Sequence, residues 1–102
     1  MSKGIKFDEK KLRWDLLPWD AIENIVEIYT FGCEKYGENN WQGVEKERYF
    51  AALMRHLVAR EGGQLTDDES RLLHSAHAAW NCIALLWNDI KEIRENNEKT
   101  MD

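Results

Sequence analysis

The stretch from Leu73 to Ile90 constrains the fold most. Leu73, Ala76, Trp80, Ile83, Trp87 and Ile90 recur at alternating three- and four-residue steps, the seam of a helix packed along a neighbour. Ala78, Cys82 and Leu85 make the remaining face apolar as well. A helix that is apolar nearly all round must be buried nearly all round. Two further helices in a chain of 102 residues hardly cover it. The expectation is an all-α fold: a three-helix domain with a long C-terminal helix, assembling into a helical-bundle homo-oligomer (dimer, tetramer or larger). Beside the seam, Ser70, His74, His77 and Asn81 stack as a narrow polar stripe. Buried polar groups left unpaired cost roughly 1–3 kcal/mol each, so this stripe requires internal partners or a ligand.

The rest of the chain supplies those two helices. A charged arm, residues 1–17, precedes the only proline, Pro18, which suits the first position of a helix. Trp19, Ile22, Ile25, Val26, Tyr29, Cys33 and Tyr36 then keep the helical period, and Gly37 reads as the C-terminal cap. Glu38 to Gly43 reads as a loop. A second helix is expected from Glu45 to Glu61, with an apolar stripe of Phe50, Leu53, Met54, Leu57 and Val58 and a break at Gly62-Gly63. The third is expected to start at Thr66-Asp67-Asp68-Glu69, a capping box, and to run to about Arg94. The tail, residues 95–102, is expected to fray. With no repeat and no linker, residues 1–102 read as one domain, arm and tail peripheral.

Composition narrows the function. A formal net charge of −5 argues against a groove that tracks a nucleic-acid backbone, since that work is done by Lys and Arg neutralising phosphates. It leaves room for a small phosphorylated ligand whose charge a bound cation and a few basic residues offset. Cys33 and Cys82 show no disulfide spacing, the opening MSKGIKFDEKK lacks the apolar run of a secretion signal, and Ala76 to Trp87 is too short to span a membrane. The expectation is a cytoplasmic protein of a bacterial host with no membrane partner.

His74, His77 and Asn81 project to one side of the third helix, and Asp67 and Glu69 lie at its expected start. Taken alone, the acids read as capping residues and the histidines as a core network. Together within ten residues they resemble the ligand set of a Mg²⁺ or Mn²⁺ site, or groups that orient an attacking water. Arg55 and His56 on the second helix offer a forked donor for phosphate oxygens beside an imidazole. Lys35-Tyr36-Gly37 with Asn40-Trp41 sets a cation, an amide and two aromatics around one bend, where a base can stack and be read. For Trp41 alone, a structural turn over the core is the simpler reading.

The order Leu17-Pro18, Lys35-Tyr36-Gly37, Asn40-Trp41, Arg55-His56-Leu57, Asp67-x-Glu69-Ser70, His74-x-x-His77-Ala78 and Asn81 resembles the dATP/dGTP diphosphohydrolase N-terminal family of phages and bacteria (the MazZ type), related in idea to the all-α MazG-like nucleotide pyrophosphohydrolases. The resemblance covers roughly Lys6 to Trp87. It implies an all-helical oligomeric enzyme that cleaves a purine (deoxy)nucleoside triphosphate such as dGTP or dATP to monophosphate and pyrophosphate with Mg²⁺ or Mn²⁺. It implies metal binding by Asp67, Glu69 and His77, and catalysis by Glu69, His74 and His77. Lys35, Tyr36, Asn40, Trp41, Arg55, His56 and Asn81 would contact the nucleotide. The family pattern has glycine where this chain has Lys10 and Arg71, and a glutamate where it has Gln64. The last difference motivates a second reading: a non-catalytic phage sponge that sequesters a nucleotide-derived signal.

Overall fold

The computed structural model of the chain describes residues 4–5 and 9–101. Residues 1–3, 6–8 and 102, which include part of the expected arm and the Lys6 end of the resemblance, lie outside the described residues. The described residues form three helices and no strand: α1 (Trp19–Tyr36), α2 (Lys46–Glu61) and α3 (His74–Met101), with 3₁₀ turns at Trp14–Leu16 and Asn40–Gly43. The all-α architecture with a long C-terminal helix is as expected. No helix among the described residues is long and apolar enough to cross a membrane.

Pro18 stands at the cap of α1 rather than inside its first turn, and the Ile22 N–H donates to its carbonyl at 3.0 Å. Gly37 ends α1 as expected. Its N–H donates to the Cys33 carbonyl at 2.8 Å, and its φ of 93° is one that glycine adopts without steric penalty.

α3 packs along α2 and against α1. The face that α2 turns inward is not the expected stripe. Tyr49 is buried and Ala52, Leu53, His56 and Ala59 are half-buried, at helical spacing. Small Ala52 and Ala59 let the two backbones come close, and the aromatic bulk comes from α3. Of the expected stripe only Leu53 turns inward; Phe50 is 58% and Val58 67% exposed. On α3, Ala76, Ala78, Ala84 and Asn81 are buried, while Leu86, Ile90 and Ile93 are exposed. One chain therefore covers only one flank of α3.

The start of α3 differs from the capping-box expectation. Thr66 to Glu69 lie in the connection, and the helix begins at His74. The Asp67 carboxylate accepts the Ser70 N–H at 2.9 Å and the Ser70 hydroxyl at 3.0 Å. Asp and Ser side chains compete in this way with helical hydrogen bonding and favour turns. Thr66 and Leu73 then pair as an isolated antiparallel bridge, with the Asp67 N–H on the Leu72 carbonyl at 2.8 Å and the His74 N–H on the Leu65 carbonyl at 2.9 Å. Between them Arg71 adopts φ 66°, which no helix residue does. At the other end the helix continues past the expected Arg94 to Met101.

Candidate functional site

The end of α1, the Asn40–Gly43 turn, the inward face of α2 and the first half of α3 surround a cavity of about 790 Å³, within the range of small-molecule sites. One wall is aromatic. Trp80 meets Tyr29 and Tyr49 edge-to-face at 5.6 Å each and Trp41 at 6.2 Å, and Trp41 also meets Trp87 at 5.0 Å. The Tyr49 hydroxyl donates to the Trp41 carbonyl, which fixes the turn to α2. Trp80 Nε1 is buried without a hydrogen-bond partner among the described residues.

The lining is also cationic. Lys35, Arg48 and Arg55 border the cavity, and Lys35 pairs with Glu69 across its mouth. That hydrogen bond raises the Lys35 pKa above its ordinary value. Arg48 and Arg55 stand seven residues apart on α2, two turns along one face, and reach the same space.

A histidine–aspartate cluster adjoins the cavity, with His56 and His77 in its lining. The rings of His56 and His77 stack at 4.4 Å with planes 4° apart. His56 Nδ1 and His74 Nδ1 are 2.8 Å apart, and His77 Nε2 lies 2.7 Å from Ser70 Oγ. Ligand atoms of His56, Asp67 and His74 all lie within 4.8 Å of one another. Burial holds His56 down at about 4, with the neighbouring His77 and His74 adding to the effect. Burial also lowers His77, against the pull of Asp67. For Asp67 burial acts upward, but the two Ser70 hydrogen bonds and His77 outweigh it and hold the carboxyl below its ordinary value.

An ionised Asp67 only accepts hydrogen bonds, so the single Ser70 hydroxyl proton points to it. His77 must then donate from Nε2 to Ser70, which leaves its Nδ1 unprotonated. Sequence and hydrogen bonding thus set one tautomer of a neutral imidazole that borders the cavity.

Of the residues singled out from the sequence, Lys35, Tyr36, Asn40, Trp41, Arg55, His56, Glu69, His77 and Asn81 all border the cavity. Asp67 and His74 do not; they stand one layer back, joined to it through Ser70 and His56. Asn81 is 3% exposed and its Nδ2 donates to the His77 carbonyl at 2.8 Å. Arg48, Tyr29 and Tyr49 are wall residues that the sequence reading passed over. The seven-residue spacing from Arg48 to Arg55 was the available signal.

The chain matches the family model described as dATP/dGTP diphosphohydrolase, N-terminal, over residues 1–98. It belongs to the dATP/dGTP diphosphohydrolase N-terminal family. A relative named dATP/dGTP diphosphohydrolase, from Salmonella phage PMBT28, is 38% identical over 84 residues, 82% of this chain and 29% of the relative. The chain thus spans under a third of that relative's length. No solved structure matches the chain.

At Lys10 and Arg71, the two positions where the resemblance led to an expectation of glycine, φ is 70° and 66°, the left-handed region that glycine enters freely. The third difference, Gln64, is exposed; its N–H donates to the Ala59 carbonyl at 3.0 Å. Gln64 neither borders the cavity nor joins the histidine–aspartate cluster.

Proposed function

We propose that this chain forms the nucleotide site of a metal-dependent purine (deoxy)nucleoside triphosphate diphosphohydrolase, releasing pyrophosphate and leaving a monophosphate from dGTP or dATP. The observation that carries this reading is one cavity whose lining combines aromatic rings, cationic side chains and a neutral imidazole. Trp41 and Trp80 offer ring faces and edges to a base, and the Asn40 amide offers a donor and an acceptor to its edge. Lys35, Arg48 and Arg55 offset the phosphate charge. The name of the phage relative supports the same reaction.

In that reaction a water oxygen forms a bond to phosphorus as the bridging bond between the α and β phosphates breaks, and pyrophosphate carries away the electron pair. A bound divalent cation would polarise the phosphates. His77, neutral and fixed as the Nε2–H tautomer, is the group suited to take the water's proton on Nδ1. Glu69 keeps Lys35 in place at the mouth, and His74 acts from the layer behind. The binding-only alternative rested on Gln64, and the exposed position of that residue away from the cavity gives it no support.

The same proposal includes a homo-oligomer. The outer stripe of α2 and the uncovered flank of α3 are both apolar, and the radius of gyration is 18.1 Å, against about 13 Å for a self-contained domain of this length.

The test is to incubate the protein with each deoxynucleoside triphosphate and Mn²⁺ or Mg²⁺. Pyrophosphate should appear from dGTP or dATP, vanish with EDTA and fall strongly in Glu69→Gln. Nucleotide recovered intact in every case would overturn the reading.

A further inference from the structure

Where the cavity wall at His56 meets the layer behind it, we infer a cation site formed by His56, Asp67 and His74, selective for a divalent transition metal (Mn²⁺, Fe²⁺, Co²⁺ or Zn²⁺) over Mg²⁺. It deepens the metal-dependent reading above by naming the seat of the cation, and it departs from the ligand set that the sequence motif suggested. Glu69 is exposed and engaged by Lys35. His77 offers its Nε2 to Ser70. Neither belongs to the group of ligand atoms that converge within 4.8 Å, whereas His56, Asp67 and His74 do.

Three features of the cluster suit a cation. The two Nδ1 atoms of His56 and His74 face each other at 2.8 Å. Two imidazole ligands at about 2.0–2.1 Å from one metal sit roughly 3.3 Å apart, so the rings need to part by about 0.5 Å and no more. Both Ser70 hydrogen bonds fall on Oδ2 of Asp67, which leaves Oδ1 without a partner among the described residues. A ligating carboxylate steadied through its other oxygen is the usual support of a metal site. His74 is 4% exposed, and with its Nε2 unpartnered the only contact its ring nitrogens make among the described residues is the one from Nδ1 to His56.

The donor set decides the metal. Two imidazoles and one carboxylate are borderline ligands, and nitrogen ligation favours transition metals over the oxygen-seeking Mg²⁺. Three protein ligands would leave further coordination positions open, and His56, which borders the cavity, would link a cation held here to it.

The experiment is a titration without nucleotide. Protein stripped with EDTA and desalted is titrated with Co²⁺ and followed by visible absorption, then with Mn²⁺ and Mg²⁺ by calorimetry. One Co²⁺ per chain should bind with the ligand-field bands of a nitrogen-ligated ion, and Mn²⁺ should bind more tightly than Mg²⁺. Asp67→Asn and His56→Gln should each weaken binding about 10–100-fold, while Glu69→Gln leaves it little changed. Circular dichroism checks the fold; should His56→Gln lose it, Asp67→Asn decides alone. The site is overturned by wild-type protein that binds no metal, by Asp67→Asn that binds as wild type, or by a preference for Mg²⁺. Pyrophosphate release with metal binding unaltered in Asp67→Asn would overturn the site and leave the activity standing. Metal binding without release would do the reverse.

Discussion

The imidazole of His56 lies flat on that of His77, centroids 4.4 Å apart and planes 4° from parallel. Two charged rings repel at this spacing, so the stack opposes charging both at once. It joins α2 to α3 at the edge of the cavity, and the protonation of the pair is coupled to the integrity of the fold.

That coupling has a sign. His56 titrates near 6.5 in the unfolded chain and at about 4 in the folded one, and His77 is lowered in the same direction. Between those values the unfolded state binds more protons, so stability falls as pH drops from about 6.5 toward 4 and is unaffected by these groups above that window. Asp67, whose pKa is lowered, stabilises above the ordinary carboxylate range and withdraws that support only at lower pH. Urea midpoints of metal-free protein should fall across pH 6.5 to 4. His56→Gln should flatten the slope; an unchanged slope in that variant would remove the histidine from the account.

Ser70→Ala removes the hydroxyl that joins Asp67 to His77 and accepts the Leu72 N–H. The Asp67 turn keeps its Ser70 N–H bond, so the fold should survive, destabilised by about 1 kcal/mol. Pyrophosphate release should fall about 10-fold or more, because the tautomer of His77 is no longer set. Full activity in a stable Ser70→Ala would show that the hydroxyl only closes a turn.

Arg71→Gly should stabilise the protein by about 1 kcal/mol. Arg71 holds φ 66°, a backbone region that costs a residue with Cβ roughly this much and glycine almost nothing. Thermal melts of the two proteins settle it, and a lower melting temperature in the variant would mean that the Arg71 side chain contributes more than its backbone loses.

Trp41 and Asn40 should separate affinity from selectivity. Trp41 meets three other rings, so Trp41→Ala should destabilise by about 3 kcal/mol and weaken all nucleotides alike. Asn40→Ala should instead flatten the preference of purines over pyrimidines, since only a donor–acceptor pair distinguishes base edges. Binding of non-hydrolysable analogues measures both. An unchanged nucleotide ranking in Asn40→Ala would place base reading elsewhere.

Sedimentation at micromolar concentration should show a dimer or larger species. Met54→Glu with Val58→Glu, both on the outer stripe of α2, should shift it toward monomer while the helix content stays. A wild-type chain that is monomeric and folded would mean that this stripe is tolerated in water.

The three helices were legible because Gly37, Gly62-Gly63 and the long apolar period of α3 are strong local signals. Nine of the candidate residues border one cavity: helical period places Lys35, Tyr36, Arg55, His56, His77 and Asn81 there, and the turn and the connection bring Asn40, Trp41 and Glu69. What escaped was decided by competition. Thr66-x-x-Glu69 satisfies the pattern of a helix start, yet Asp67 offers its carboxylate to the Ser70 N–H and the turn prevails. The inward face of α2 was hidden because apolarity does not say which of two hydrophobic surfaces meets the same chain and which stays uncovered. Arg48 was overlooked because a charged helix residue is ordinarily solvated.

The Trp41 ring stands 6.2 Å from that of Trp80 and 5.0 Å from that of Trp87, centroid to centroid, with planes crossed at 73° and 69°. Indoles crossed at such angles and distances couple as transition dipoles, so the folded chain carries an intrinsic optical signal in its near-ultraviolet circular dichroism. One ring rides on the turn between α1 and α2, and the other two ride on α3. The signal therefore reports whether that turn is seated on the helix, and a base entering against Trp41 or Trp80 would alter it without any label.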